Sequence, residues 1–288
     1  GWGGGGQLRQ MVGADLVPEP LALRSSLPLA PAVYARLPGA PPVIGGPTLP
    51  TAWPLDERGY LSRGQVEPGE GASVVMTAVW RAGHPPRLRI VSTASVAVAQ
   101  FGPVADRAAN LAVMRSLALH AVEQGAGLVV FPEYSSYFSP TMGPDWLAAA
   151  EPLDGPFVEG LGDLASESGA IIVAGLIEVG ATTTDRFRNT VVAVAPGGAL
   201  LAVSRKLHLY DAFGATESAW AEAGALEPPQ LFDAVGLRVG IQTCYDLRFP
   251  EVTRRLVDAG AELVLVPSEW VAGPGKVHAW TTLVTARA

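Results

Sequence analysis

The sequence predicts an α/β layered fold with a mixed sheet over residues 93–288, preceded by a Pro/Gly-rich extension over residues 1–92. Three observations predict it. Short apolar runs alternate with segments of helical period from about Ser92 onward. Two pairs of apolar runs are joined by turn residues, as hairpins are. Hydrophobic residues make up 49% of the 288-residue chain and charged ones 16%, which suffices for a substantial core.

The elements follow in order. Residues 94–100 read as a short strand. Asp106 can cap a helix running to about Gln124, with Leu111, Met114, Leu117, Ala118, Ala121 and Val122 on one face. Gly125 ends it. Residues 128–131 form a buried strand leading into Pro132-Glu133-Tyr134. A second helix covers residues 157–168, and a strand follows at 170–178. Residues 191–195 and 200–203 pair as a hairpin across Pro196-Gly197-Gly198. Residues 231–234 and 237–243 form another pair, bent at Gly236. A helix at 249–259 turns Val252, Leu256 and Val257 inward, with Pro250 at an early position, Glu251 in the first turn and Gly260 past the end. A strand at 263–266 and a helix begun near Val277 complete the reading.

The extension differs in kind. From Gly1 to about Val75 the chain is roughly one-third proline plus glycine, a level associated with disorder or low complexity. It opens without methionine and without a basic n-region, and Pro28, Pro31 and Pro38 interrupt its apolar residues, so it holds no signal-peptide core. Gly1, Gly3 and Gly6 match a dinucleotide-loop spacing, but no strand precedes them. Two expectations follow: a poorly ordered extension, or an upstream translation artefact with Met76 close to the start of the protein.

Several function classes are disfavoured. The formal net charge of −7 argues against nucleic acid or anionic membrane as the main partner. No apolar run approaches the roughly 20 residues of a membrane helix. Cys244 is the only cysteine, which excludes an intrachain disulfide and any multi-thiolate metal site, and suits a reducing cytoplasm.

On its own, Cys244 reads as a small buried hydrophobe. Its neighbours change that. Glu133 follows Leu-Val-Val-Phe-Pro, Lys206 follows Ala202-Val-Ser-Arg, and Cys244 follows Val-Gly-Ile-Gln-Thr. Each is the first reactive side chain after an expected strand, and strands of one sheet would bring all three to one crevice. A thiol nucleophile, a carboxylate to take its proton and a fixed cation for the oxyanion suffice for acyl transfer at a C–N bond. The lysine is expected to favour the thiolate. His208 reads as a satisfied loop histidine, and His84, His120, His208 and His278 show no ligand spacing. The chemistry needs no metal or organic cofactor.

Phe131-Pro-Glu-Tyr134, Arg205-Lys-Leu-His-Leu-Tyr-Asp211 and Cys244-Tyr-Asp-Leu-Arg-Phe-Pro-Glu251, in this order, resemble the carbon–nitrogen hydrolase (nitrilase) superfamily, most closely its amidase branch with omega-amidase and deaminated glutathione amidase. Ala174-Gly-Leu-Ile-Glu178, Asn189-Thr190, Ala212-Phe-Gly-Ala-Thr-Glu-Ser218 and Val266-Pro267 support the likeness. The resemblance implies a four-layer α-β-β-α sandwich that pairs into a homodimer or larger assembly. It implies Glu133 as general base, Lys206 as oxyanion stabiliser and Cys244 as nucleophile. It implies Glu217 as a second glutamate that positions substrate and water, and the Tyr245 backbone N–H as the other oxyanion donor.

The implied activity is release of ammonia from a small linear carboxamide through a Cys thioester. N-carbamoyl amide hydrolysis, nitrile hydrolysis, acyl transfer and an inactive truncated relative are the alternatives. Family members continue past the position of Ala288, so the sandwich is expected to be incomplete at the C-terminus. Ala215 and Thr216 stand where relatives often carry a bulky or basic pair, and Glu269 stands beside Trp270 where relatives often have a small residue. Both differences bear on the substrate pocket.

Overall fold

The computed structural model describes residues 95–288. The Pro/Gly-rich stretch and Met76 lie outside the described residues. The strands are β1 (Val96–Val98), β2 (Leu128–Val130), β3 (Ile171–Val179), β4 (Phe187–Val194), β5 (Leu200–Arg205), β6 (Ala221–Glu222), β7 (Phe232–Ala234), β8 (Leu237–Ile241) and β9 (Leu263–Leu265). The helices are α1 (Arg107–Glu123), α2 (Pro144–Ala148), α3 (Pro156–Ser168), α4 (Pro250–Asp258) and α5 (Lys276–Arg287).

Local chemistry sets the element ends. The Asp106 side chain accepts from the Ala109 N–H at 3.0 Å and caps α1, and Gly125 follows the helix at φ 89°. Pro156 and Pro250 open α3 and α4, where a missing N–H costs nothing. The β7–β8 turn places both Val235 (φ 48°) and Gly236 (φ 81°) in the left-handed region, as a two-residue hairpin turn demands.

The strands form two mixed sheets. The larger has the order β1-β2-β3-β4-β5, parallel from β1 to β3 and antiparallel onward. The smaller has the order β7-β8-β9, with β8 and β9 parallel. Side chains alternate across the larger sheet as a pleat requires. Leu128, Val130, Val173, Val191 and Ala193 meet Val239, Ile241, Leu263 and Leu265 of the smaller sheet in one core. Val129, Ile172, Ala174, Val192 and Val194 pack on Met114, Ala118, Leu161 and Ala165 of α1 and α3. On the far face of the smaller sheet, Gly240 lies against the Leu256 side chain of α4. The layers therefore run helix, sheet, sheet, helix, the architecture expected.

Differences from the sequence reading are local. The hairpin strands are longer than expected: β4 starts at Phe187 and β5 runs to Arg205. Apart from the buried Phe187, their extra residues are polar, so apolar patterning does not mark them, and most of their polar groups are paired inside the fold. Val257 is half-buried, and Thr253 takes the inward place on α4 because its hydroxyl donates to Gln242 Oε1 at 2.8 Å. The short α2 and β6 carry too few residues to show a period and were not expected.

One topological detail prepares the site. β5 pairs with β4 only from Thr190 to Val194, and β6 pairs with β4 only at Phe187 and Arg188. The edge of β4 is open between them, at Asn189. The chain leaves that edge at Lys206, whose N–H donates to Asn189 O at 2.9 Å, and returns at Ala221. The excursion carries Glu217.

Candidate active site

Glu133, Lys206, Glu217, Cys244 and Tyr245 line one cleft of about 660 Å³. The structure thus brings together every residue that the sequence singled out, but not by way of a single sheet. β2 and β5 belong to the larger sheet and β8 to the smaller, so the cleft opens at an end of the sandwich, where the two sheets face each other.

Glu133 sits just beyond β2, where Pro132–Tyr134 continues alongside β3. Gly175 N–H donates to Pro132 O at 3.1 Å. A Cβ on Gly175 would lie 2.6 Å from Tyr134 N and 2.8 Å from Glu133 Cα, so only glycine lets the two backbones approach this closely. Tyr134 takes φ 56° to complete the turn.

The Glu133 carboxylate is 1% exposed and held at both oxygens. Oε1 accepts from Lys206 Nζ at 3.0 Å and from Asn189 Nδ2 at 2.7 Å. Oε2 accepts from the Glu269 N–H at 2.7 Å. Lys206 Nζ also donates to Glu217 Oε2 at 2.8 Å. Glu217 in turn accepts from Tyr134 OH at 2.7 Å and from the Tyr210 N–H at 2.6 Å. One buried ammonium is thus shared by two buried carboxylates. Burial alone would lower the pKa of Lys206, but Glu133 and Glu217 outweigh it and hold the ammonium well above its usual range. Burial pushes Glu217 up, and the Lys206 charge with its hydrogen bonds brings it below the usual carboxylate value.

Cys244 opens a 3₁₀ turn (Cys244–Arg248) between β8 and α4, in the left-handed region at φ 44°. A non-glycine residue there is strained, and such strain gathers at functional sites. The turn is tied down by Asp246, which is 2% exposed. Asp246 accepts from the Thr243 N–H at 3.3 Å, and from the His208 N–H and Nδ1 at 2.9 Å each. The nucleophile turn and the loop after Lys206 are thereby joined. His208 also stacks on Phe249 at 3.6 Å, so it is a satisfied loop histidine.

The thiol itself is buried, and burial pushes its pKa well above the usual value, with the Glu133 charge adding to the rise and Lys206 opposing it. Lys206 favours the thiolate, as the sequence predicts, but burial and the Glu133 charge outweigh it. Lys206 is already engaged by two carboxylates, so its field does not prevail at the sulfur. The resting pair is a thiol beside a carboxylate, which suits proton transfer during attack and not a preformed anion.

Four participants escaped the sequence reading. Asn189 appeared there only as part of a supporting match, yet its amide meets Glu133, Tyr134 OH and Glu217. Tyr134 and Asp246 lie within the motifs, but nothing about their spacing separates them from ordinary loop residues. Glu269 was noted only for its size, whereas its backbone N–H holds Glu133 and its carbonyl oxygen is 4.0 Å from Cys244 Sγ. Among the described residues, no group of three His, Cys, Asp or Glu side chains could hold a metal ion, and no helix is long and apolar enough to cross a membrane.

Known proteins are similar to this chain in sequence and fold. A hydrolase of Mycobacterium tuberculosis is 40% identical over 195 residues, covering 67% of this chain and 67% of the relative. Deaminated glutathione amidase of Escherichia coli is 37% identical over 194 residues, covering 67% of this chain and 72% of its own length. Among solved structures, the C. elegans NitFhit protein superposes with a TM-score of 0.60 at 27% identity, over 68% of this chain and 49% of that one. A glutamate-to-glutamine mutant of the amidase from Nesterenkonia sp., its active-site cysteine modified by Michael addition of acrylamide, superposes with a TM-score of 0.56 at 27% identity, over 67% of this chain and 72% of that one. Residues 95–288 match the carbon–nitrogen hydrolase family, and with the fold and the relatives they show that the chain belongs to that family of hydrolases acting on carbon–nitrogen bonds.

Proposed function

We propose that the protein is a cofactor-independent thiol amidohydrolase that releases ammonia from a small linear carboxamide. The observation that carries this reading is the shared cleft: Cys244 faces the same space as a carboxylate and a buried ammonium. In the proposed sequence, Glu133 accepts the Cys244 proton as the sulfur attacks the amide carbon. The negative oxygen is held by Lys206 and the Tyr245 N–H. Lys206 has three N–H donors, and the carboxylates of Glu133 and Glu217 take two, which leaves one for the oxyanion. The C–N bond breaks as Glu133 returns the proton to the nitrogen, and ammonia departs. A water, deprotonated by Glu133 and positioned by Glu217, attacks the thioester. The carboxylic acid leaves, and the proton returns to the sulfur.

The cysteine adduct in the Nesterenkonia amidase supports the nucleophile's role. The same reading assigns the reducing cytoplasm, where a lone thiol persists, and a homodimer or larger assembly on the family resemblance. The test uses short amides with hydroxylamine. Wild type is expected to form hydroxamate and to carry an acyl mass adduct on Cys244, and Cys244→Ala to lose activity by a factor on the order of 10⁴–10⁶. Ammonia release that persists in Cys244→Ala would sink the mechanism, as would a folded wild type that acquires no adduct.

A further inference from the structure

The two carboxylates that share Lys206 differ in how many of their lone pairs the protein uses. Glu217 accepts twice at each oxygen. Its Oε1 takes Tyr134 OH at 2.7 Å and Asn189 Nδ2 at 3.0 Å, and its Oε2 takes Lys206 Nζ at 2.8 Å and the Tyr210 N–H at 2.6 Å. That fills the group and leaves no place for a proton. Glu133 accepts twice at Oε1, from Lys206 Nζ at 3.0 Å and Asn189 Nδ2 at 2.7 Å, and once at Oε2, from the Glu269 N–H at 2.7 Å. One lone-pair site stays open, on the oxygen beside Glu269, whose carbonyl oxygen is 4.0 Å from Cys244 Sγ. Asn189 is the residue that completes Oε1 of both groups. It is 1% exposed, and its own Oδ1 is buried without a partner. An orphaned buried acceptor is costly, so the two anions hold this amide nitrogen-first against its own hydrogen-bonding needs. The Asn189 backbone carbonyl also takes the Lys206 N–H at 2.9 Å, so one residue ties both carboxylates to the chain that carries their shared cation.

We propose that Asn189 is a positioning residue of the reaction: by closing Oε1 of Glu133 it directs the Cys244 proton to Oε2, and by bridging Glu133 to Glu217 it holds the two carboxylates in register around Lys206. The proposal rests on the reading of Glu133 as the base and deepens it. Without the Asn189 amide, Oε1 becomes a second basic site beside Lys206, and the carboxylate loses one of the three donors that fix its plane. The amide has two N–H groups for three acceptors, the third being Tyr134 OH at 2.7 Å, so its donors are fully used. The same donors favour ionised carboxylates. Burial pushes Glu217 up, and the Lys206 charge, with hydrogen bonds from Lys206, Asn189 and Tyr134, brings it below the usual carboxylate value. The other ionisable groups of the cleft around this cluster are Cys244 and Glu269. Behind it, Glu178 is paired with Arg188 and Arg205. Among the described residues, none of these supplies a donor to Glu133 Oε1, so nothing else does the work of Asn189.

Asn189→Ala tests it. With a short amide, kcat is expected to fall about 10- to 100-fold, as for a misplaced catalytic group. KM should hardly move, because Asn189 does not line the cleft. The acid limb of the kcat/KM profile should move up by about one pH unit, since a donor to the ionised carboxylates is gone. Glu269, whose pKa burial and the Glu133 charge push up to about 8, titrates well above that limb. Asn189→Ser is too short to bridge both carboxylates; it serves where the alanine variant does not fold and should move the limb in the same direction. A second readout needs no amide turnover: alkylation of Cys244 by iodoacetate, followed by mass. There the sulfur–carbon bond forms as iodide leaves and the thiol proton passes to Glu133, and the rate should fall about tenfold in the variants. A loss of kcat with an unmoved acid limb means that Asn189 serves packing alone and overturns the proposal, as does a change confined to KM. Wild-type ammonia release matched by an unaltered Asn189→Ala overturns the role of Asn189 and keeps the hydrolase reading. Slowed alkylation in the variants of a protein that releases no ammonia overturns the hydrolase reading and keeps the positioning.

Discussion

Two buried acid–base clusters sit on opposite faces of β4, and they are built from different cations. On the face toward α1 and α3, Glu178 receives both Nε and Nη2 of Arg205 at 2.7 Å, Arg188 Nη2 at 2.7 Å and Thr190 Oγ1 at 2.6 Å. On the face between the sheets, Glu133 and Glu217 share Lys206. Arg188 and Thr190 point one way and Asn189 the other, as successive residues of a strand do. Arg205 and Lys206 likewise divide between the two clusters. The first cluster is closed: planar guanidinium forks hold one carboxylate from several sides and leave it nothing to do. The second is open: a single ammonium leaves a donor over, and the cleft brings a thiol and another carboxyl to it. Burial and charge alone do not separate scaffold from site. The separation comes from whether every donor and acceptor is used up within the protein.

The largest effect should come from removing the cation of the open cluster. Lys206→Met leaves Glu133 and Glu217 buried without their ammonium, which typically costs about 3–5 kcal/mol. It also removes an oxyanion donor, for a further loss of about 10²–10³ in kcat. The matching change in the closed cluster, Glu178→Gln, should cost a similar amount of stability, measured by urea unfolding, and leave kcat/KM nearly unchanged at temperatures where the variant is folded. If Glu178→Gln loses activity out of proportion to its stability, the division between the clusters breaks down.

The contrast also explains what could be read from the sequence. The strands near the core were legible because Leu128–Val130 and Leu237–Ile241 are almost wholly apolar. Glu133, Lys206 and Cys244 were legible because each is a reactive residue directly after such a run. Asn189 was not, since it lies inside β4 and owes its place to the gap that β5 and β6 leave at its edge. That gap is a matter of tertiary pairing, invisible to local pattern. The net balance at Cys244 was not legible for a related reason. The neighbourhood of a lysine can be inferred from motifs, but not how many carboxylates already claim it.

Backbone approach offers a second way to sharpen the contrast. Gly175→Ala would force a Cβ against the backbone of Glu133 and Tyr134, and the nearest of these atoms cannot rotate away. Displacing the base by a fraction of an ångström to about 1 Å should lower kcat/KM up to about 10²-fold. Gly160→Ala on α3 is the comparison. There the nearest atom, at 2.7 Å, is Cδ1 of Leu111, the end of a flexible side chain in the helical layer. It should leave kcat/KM unchanged. Equal losses in the two variants would mean that general destabilisation, and not the position of Glu133, is being measured.

The smallest effect concerns the unpaired carboxyl of the open cluster, and its sign is the point. Glu269 has a folded pKa of about 8 against an ordinary 4.5. Between these values the native state keeps the proton and the unfolded chain has lost it. The unfolded state then binds fewer protons, so this group's contribution to stability falls as pH rises and levels off above about 8. Glu269→Gln cannot ionise, and it should gain stability relative to wild type between about pH 5 and about pH 8, by something on the order of 1–3 kcal/mol. Urea midpoints of the two proteins at both pH values measure it. A difference that shrinks as pH rises would mean that Glu269 has a partner within the protein and that its carboxyl does not stand open to a ligand.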